Sequence, residues 1–236
     1  MANLLSTFLY LMVMSSVNTF SLILSFFLFL FLFFIQLYNL FFKIVHAGDL
    51  TKYSDPKEYH KTIEWIKSLP HKVKIVTAGN HDHILDERYG FITEKQHILT
   101  MFQQAGITYL EHEAFQLPSS LGGHHLFVSP YAPVHLGGAF MPLHGLESYW
   151  EAIPASTDIL VTHTPPRGYL DQTRRKLHVG CPALTKKIQA IQPKVCVFGH
   201  IHESNGFTID NNILFINACT SNFRYQANQL PIVFDL

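Results

Sequence analysis

Four short apolar runs in this chain end the same way, and that repetition limits the fold more than any other feature. Ile44–Ala47 runs into Gly48-Asp49, and Lys72–Ala78 into Gly79-Asn80-His81-Asp82. Asp158–Thr162 stops at His163, and Val195–Phe198 at Gly199-His200-Ile201-His202. Runs this short, rich in β-branched residues and closed by glycine or a polar cluster, read as buried strands. In α/β sheets, ligands gather just beyond the carboxyl ends of strands. Here that edge would collect Asp, Asn and several His side chains. Glycine lets the backbone turn so that the next side chain points into such a site. Mixed oxygen and nitrogen donors suit Mn, Fe or Zn better than Ca, which prefers all-oxygen shells.

The intervening sequence supplies helices and further strands. Asp55-Pro56 opens a helix with Tyr59, Ile63, Ile66 and Leu69 on one face, and Pro70 closes it. A second helix is expected over 93–104 and a third over Pro182–Ile191, with a short strand at Ile107–Leu110. Residues 118–154 are rich in Gly, Pro, His and aromatics, with one strand at Leu126–Ser129, and read as the wall of a functional site. Asp210-Asn211-Asn212 between two apolar runs signals a hairpin, and Pro231–Phe234 reads as a closing strand. Strands that alternate with helices and then give way to a β-rich tail predict an α/β fold with mixed sheets. Trp65 and Trp150 are expected in the core. His124, His125, His135 and His144 are expected in surface or packing roles, with one or two of them as alternatives for the wall of the substrate cleft.

Composition divides the chain. No Asp, Glu, Lys, Arg or His precedes Lys43, and ten of the 20 Phe residues lie in that charge-free part. We therefore expect a hydrophobic segment over 1–42 and a globular domain over 43–236. A helix over residues 20–42 would be about 34 Å long, enough for a bilayer core. Lys43 on its C-terminal side would then place the domain in the cytosol. A translated pyrimidine-rich tract would read much the same, in which case the domain is simply cytosolic. A signal peptide fits less well, since no basic residue precedes the apolar stretch. The 17 basic and 17 acidic residues balance, against a nucleic-acid polymer as partner. Cys181, Cys196 and Cys219 form no CxxC pair and no disulfide framework, which fits a reducing compartment.

The four strand-end clusters, in this order, resemble the calcineurin-like metallophosphoesterase superfamily. The likeness is closest to its small metallophosphoesterase-domain-containing subgroup. It rests on His46-Ala47-Gly48-Asp49-Leu50-Thr51, on Thr162 to Gly168 with Asp171, on Phe198 to Glu203, and on Pro231 to Leu236. The resemblance implies a four-layer α/β/β/α sandwich with two divalent metals, Mn, Fe or Zn, at the strand ends. It implies hydrolysis of phosphomonoesters or small phosphodiesters, cyclic nucleotides among them, by a metal-activated hydroxide. By the same carry-over Asp49 bridges both metals; Asn80, His163 and His200 complete one site, and His202 serves the other. His81 becomes the general acid, oriented or tuned by Asp82, and Arg167 a candidate phosphate contact. The pattern departs from the family at its first motif, Asp-x-His, which should precede Asp49 on a first strand. Asp49 is the first Asp of this chain, and His46 belongs to the later His-Ala-Gly-Asp pattern. A sandwich lacking that strand is expected to have one well-formed metal site, weakened folding and impaired catalysis. The alternative is a membrane-tethered, metal-binding protein without activity.

Overall fold

Alternation along the strands decides how the layers stack. The computed structural model describes residues 43–235. The first sheet is built from β1 (Lys43–Ala47), β2 (Val73–Thr77) and β3 (Thr108–Tyr109), in that order and all parallel. The second contains β4 (Glu113–Gln116), β5 (His125–Ser129), β6 (Ile159–Thr162), β7 (Val195–Phe198), β8 (Gly206–Asp210) and β9 (Ile213–Asn217). Its order is β4-β5-β6-β7-β9-β8, with a parallel centre and an antiparallel strand at each edge.

Successive strand residues point to opposite faces, and the cores follow that rule. Ile75, Val128, Val161, Val195 and Val197 meet in one cluster between the sheets. Their neighbours face outward. Val76 packs under α1 (Pro56–Ser68) and α2 (Ile92–Gln104), against Ile63, Ile66, Ile98 and Phe102. Phe127, Leu160, Cys196 and Phe198 pack under α3 (Leu146–Glu151) and α4 (Pro182–Ile191), against Trp150, Leu184 and Ile188. The result is helices, sheet, sheet, helices, the four-layer order expected.

Helix α1 starts where the sequence marks it. The Asp55 carboxylate accepts the Lys57 N–H at 2.7 Å, with Pro56 in the first turn. Several expectations need correction. Trp65 lies on the outer side of α1 and is 50% exposed, whereas Trp150 is 1% exposed. Strand β4 and helix α3 were not legible, because neither carries a periodic apolar stripe. Pro231–Phe234 forms no strand. Ile232 and Phe234 do pack against the inter-sheet core while Val233 points out. The side-chain alternation of a strand is present there, but no neighbour supplies a ladder. Among the described residues β1 is paired on one side only, by β2. The expected transmembrane helix of residues 20–42 lies outside the described residues. Among the described residues no helix is long and apolar enough to cross a membrane.

Candidate metal centre

All four strand-end clusters meet on one side of the sandwich, where the two sheets face each other. Gly48 has φ +100° and Asp49 φ +57°, so the chain turns sharply after β1 and brings Asp49 inward. A Cβ on Gly48 would lie 2.5 Å from both the Ala78 carbonyl oxygen and His163 Nδ1, so no larger residue fits there. Asn80 follows β2, His163 follows β6 and His200 follows β7. Asn80 Oδ1 lies 2.9 Å from His163 Nε2 and 2.9 Å from His200 Nδ1. Asp49 Oδ1 is 3.5 Å from His163 Nε2. Ligand atoms of Asp49, His163 and His200 all fall within 4.8 Å of one another.

The hydrogen bonds behind these groups fix what they present. His163 Nδ1 faces the Ala47 carbonyl oxygen at 3.0 Å, so it carries the proton and donates. Nε2, on the other side of the ring, faces the Asp49 carboxylate and Asn80 Oδ1. Burial, reinforced by His163, pushes His200 down to about 3, so its ring is uncharged near neutrality. Burial alone would raise the Asp49 carboxyl, but His163, His81, His200 and the His81 N–H outweigh it and hold it below its ordinary value. The His81 N–H donates to Asp49 Oδ1 at 3.1 Å. One carboxylate, an amide and two imidazoles thus converge. That donor set could hold a divalent cation, and the Ala47 carbonyl stands where an outer partner sets the tautomer of a histidine able to ligate one.

His81 and His202 line the same cavity, of about 430 Å³, as Asp49, Asn80 and His200. Each also has its Nδ1 at a backbone carbonyl: His81 at Lys52 O (2.8 Å) and His202 at Asn222 O (2.8 Å). His202 stands outside the closed triad. Two expectations change. Asp82 does not orient His81; the Lys52 carbonyl does. The fully buried Asp82 carboxylate instead accepts the Leu50, Thr51 and Gly79 N–H groups and the Thr51 hydroxyl, at 2.8–3.0 Å. It ties the turn after β1 to the turn after β2. Burial and the nearby Asp49 push it up to about 7 against those donors. Arg167 is exposed and absent from the cavity wall; its N–H donates to the Cys181 carbonyl.

Sequence reasoning missed Lys52, Leu136, Phe223 and Tyr225. Three of them carried a weak signal at best: Leu136, Phe223 and Tyr225 are exposed apolar residues in segments without periodicity. Of the four histidines in the irregular segment, of which one or two were alternatives for the cleft wall, His135 is the one that lines the cavity.

The comparisons agree with this geometry. The profile of the calcineurin-like phosphoesterase family matches residues 38–204. The human "Metallophosphoesterase domain-containing protein 1" is 35% identical over 211 residues, covering 82% of this chain and 64% of that protein. The chain thus spans just under two thirds of that relative's length. A UPF0046 protein of Caenorhabditis elegans is 37% identical over 209 residues, 81% of this chain and 67% of its own. A solved crystal structure aligns with a TM-score of 0.53 at 17% identity, over 78% of this chain and 80% of that one, which supports the fold alone. Four strand ends converging on a carboxylate, an amide and two histidines, in a sandwich whose sequence matches the family over most of its length, make this chain a member of the calcineurin-like phosphoesterase family, in the group of metallophosphoesterase-domain-containing proteins.

Proposed function

We propose that the chain hydrolyses phosphoesters at the Asp49, Asn80, His163 and His200 cluster, with Mn, Fe or Zn bound there. The observation that carries this reading is the convergence of Asp49, His163 and His200 within 4.8 Å, from the ends of strands in both sheets. A bound divalent cation supplies Lewis-acid polarisation of the phosphoryl group and acidifies water. Asp49, held ionised, is the anionic ligand, and the rings of His163 and His200 and the Asn80 amide complete the set. The Lys52 carbonyl takes the His81 Nδ1–H and fixes the ring, so that Nε2 is the nitrogen that would exchange a proton with the substrate. Asp82 fixes the two turns that carry Asp49 and Asn80. Phosphomonoesters and small phosphodiesters, cyclic nucleotides included, fit a cavity of about 430 Å³.

The test is metal content together with hydrolysis of bis(p-nitrophenyl) phosphate, with an Asn80→Ala, His81→Ala double variant as control. Metal-dependent turnover that disappears in the control supports the reading. A second reading is a metal-binding protein without turnover. It is favoured by the one triad that closes among the described residues, which leaves His202 outside. One metal per chain and no turnover above the control would establish that reading instead.

A further inference from the structure

Part of the cavity wall is built of aromatic and apolar side chains rather than of metal-type donors, and cations lie against those rings from outside the lining. Tyr225 and Phe223 both line it and are 49% and 43% exposed. Leu136, 93% exposed, adds apolar surface to the same wall. The Tyr225 ring stands at steep angles to two histidines of the site, 5.7 Å from His81 and 5.2 Å from His202. Lys52 Nζ lies 4.8 Å from its centroid. The guanidinium groups of Arg174 and Arg224 lie 4.2 Å and 5.3 Å from the Phe223 centroid.

These rings are held in place. The Asn222 carbonyl accepts both the His202 ring N–H and the Tyr225 backbone N–H, each at 2.8 Å. Tyr225 itself sits at φ +59°, a conformation a bulky residue adopts only when its surroundings impose it. Large apolar side chains left half open beside a polar constellation mark a ligand contact more often than a solvated surface. The three cations stacked on them make the wall attractive to an anion as well as to a flat apolar group.

We propose that Tyr225, with Phe223 beside it, receives the non-reacting, ring-bearing arm of a phosphodiester whose phosphoryl group lies at the Asp49 cluster. The proposal rests on reading that cluster as the phosphoryl site. A diester fits both halves of the cavity, since its charge meets Lys52 and the bound cation while its second arm lies along the rings. A monoester has no such arm to place there.

The experiment is calorimetric titration of the full chain, loaded with a divalent cation, with diphenyl phosphate and with dimethyl phosphate. Neither probe requires turnover. The unaltered chain is expected to bind diphenyl phosphate about tenfold more tightly, the size of a well-placed aromatic contact plus its buried area. Tyr225→Ala is expected to reduce that ratio to about twofold. Tyr225→Phe, which keeps the ring, retains it and guards against mere misfolding of the loop. Equal affinities in the unaltered chain, no binding of either probe, or a ratio untouched by Tyr225→Ala would each overturn the proposal. Turnover of bis(p-nitrophenyl) phosphate, measured in parallel, separates the two claims. Ring-dependent binding without turnover keeps the wall and sinks the hydrolase; turnover without ring preference does the reverse.

Discussion

The closed side of the centre, around Asn80, and the open side, around His202, are made from similar parts. Each has a histidine whose Nδ1 donates to a backbone carbonyl, Ala47 for His163 and Asn222 for His202. The difference lies in what stands behind them. On the closed side two sheets deliver Asp49, Asn80, His163 and His200 from four strand ends, and a buried carboxylate with four donors clamps the turns. On the open side the clamp is Gln229, whose neutral amide reaches the His202 and Ser221 carbonyls at 3.1 and 2.7 Å. Setting a tautomer prepares a donor, but only the convergence of several strands brings donors close enough that they could hold a metal.

Replacing a histidine on each side gives the sharpest test of that contrast. His163→Ala should weaken divalent-metal binding about a thousandfold, roughly 4 kcal/mol, whereas His202→Ala should cost less than about tenfold. A competition titration with a chromogenic chelator reads both. Equal losses would mean that the open side is a metal site in its own right.

The clamps come next. Asp82→Ala strands three buried N–H groups and should lower stability by about 3 kcal/mol, against about 1 kcal/mol or less for Gln229→Ala. Urea unfolding of the two variants checks the difference. A costlier Gln229→Ala would show that the open loop is anchored as firmly as the closed turns.

Acidity should tell on the closed side as well. Burial pushes His46 down to about 4, and its Nδ1 is enclosed without a hydrogen-bond partner. The unfolded chain takes up that proton near pH 6.5 and the folded chain does not, so the unfolded state binds more protons between those values. Stability therefore falls as pH drops from about 6.5 towards 4, by about 2 kcal/mol at pH 5 for this group alone. Asp82, pushed up to about 7, works with the opposite sign over the same window and offsets much of that loss. Metal-free chain unfolded in urea at pH 7 and pH 5 should therefore change little. His46→Gln, relieved of the loss, should gain about 2 kcal/mol at pH 5 relative to the unaltered chain. No such gain in that variant would place the acid sensitivity elsewhere.

The smallest effect expected is at Arg167. It lies outside both sides of the centre, and Arg167→Ala should change KM for bis(p-nitrophenyl) phosphate less than about twofold. A large rise in KM would bring it back as a phosphate contact and redraw the wall of the cavity.

Strand-end chemistry was legible because it is local. Each apolar run is short, each turn residue is adjacent to its ligand, and the parallel order of an α/β sheet puts the ends together. The same holds for α1 and α4, whose stripes and starting prolines are written within one segment. The partners of Asp82 were not legible: a carboxylate next to His81 looks like its orienter, and only the packing of the turn after β1 shows where it goes. Nor was the exposure of Trp65, which depends on which face of α1 meets the sheet.

By itself, then, the sequence determined the four strand ends, the types of donor they carry and the layered fold that gathers them. The tertiary structure alone decided that His202 stands apart from the triad, that Lys52 rather than Asp82 holds His81, and that Tyr225 and Phe223 form a wall. It also left 231–235 without a ladder despite its strand-like alternation. The physical reason is range. Periodicity and turn chemistry act over a few residues, whereas these outcomes depend on contacts between segments tens to more than a hundred residues apart.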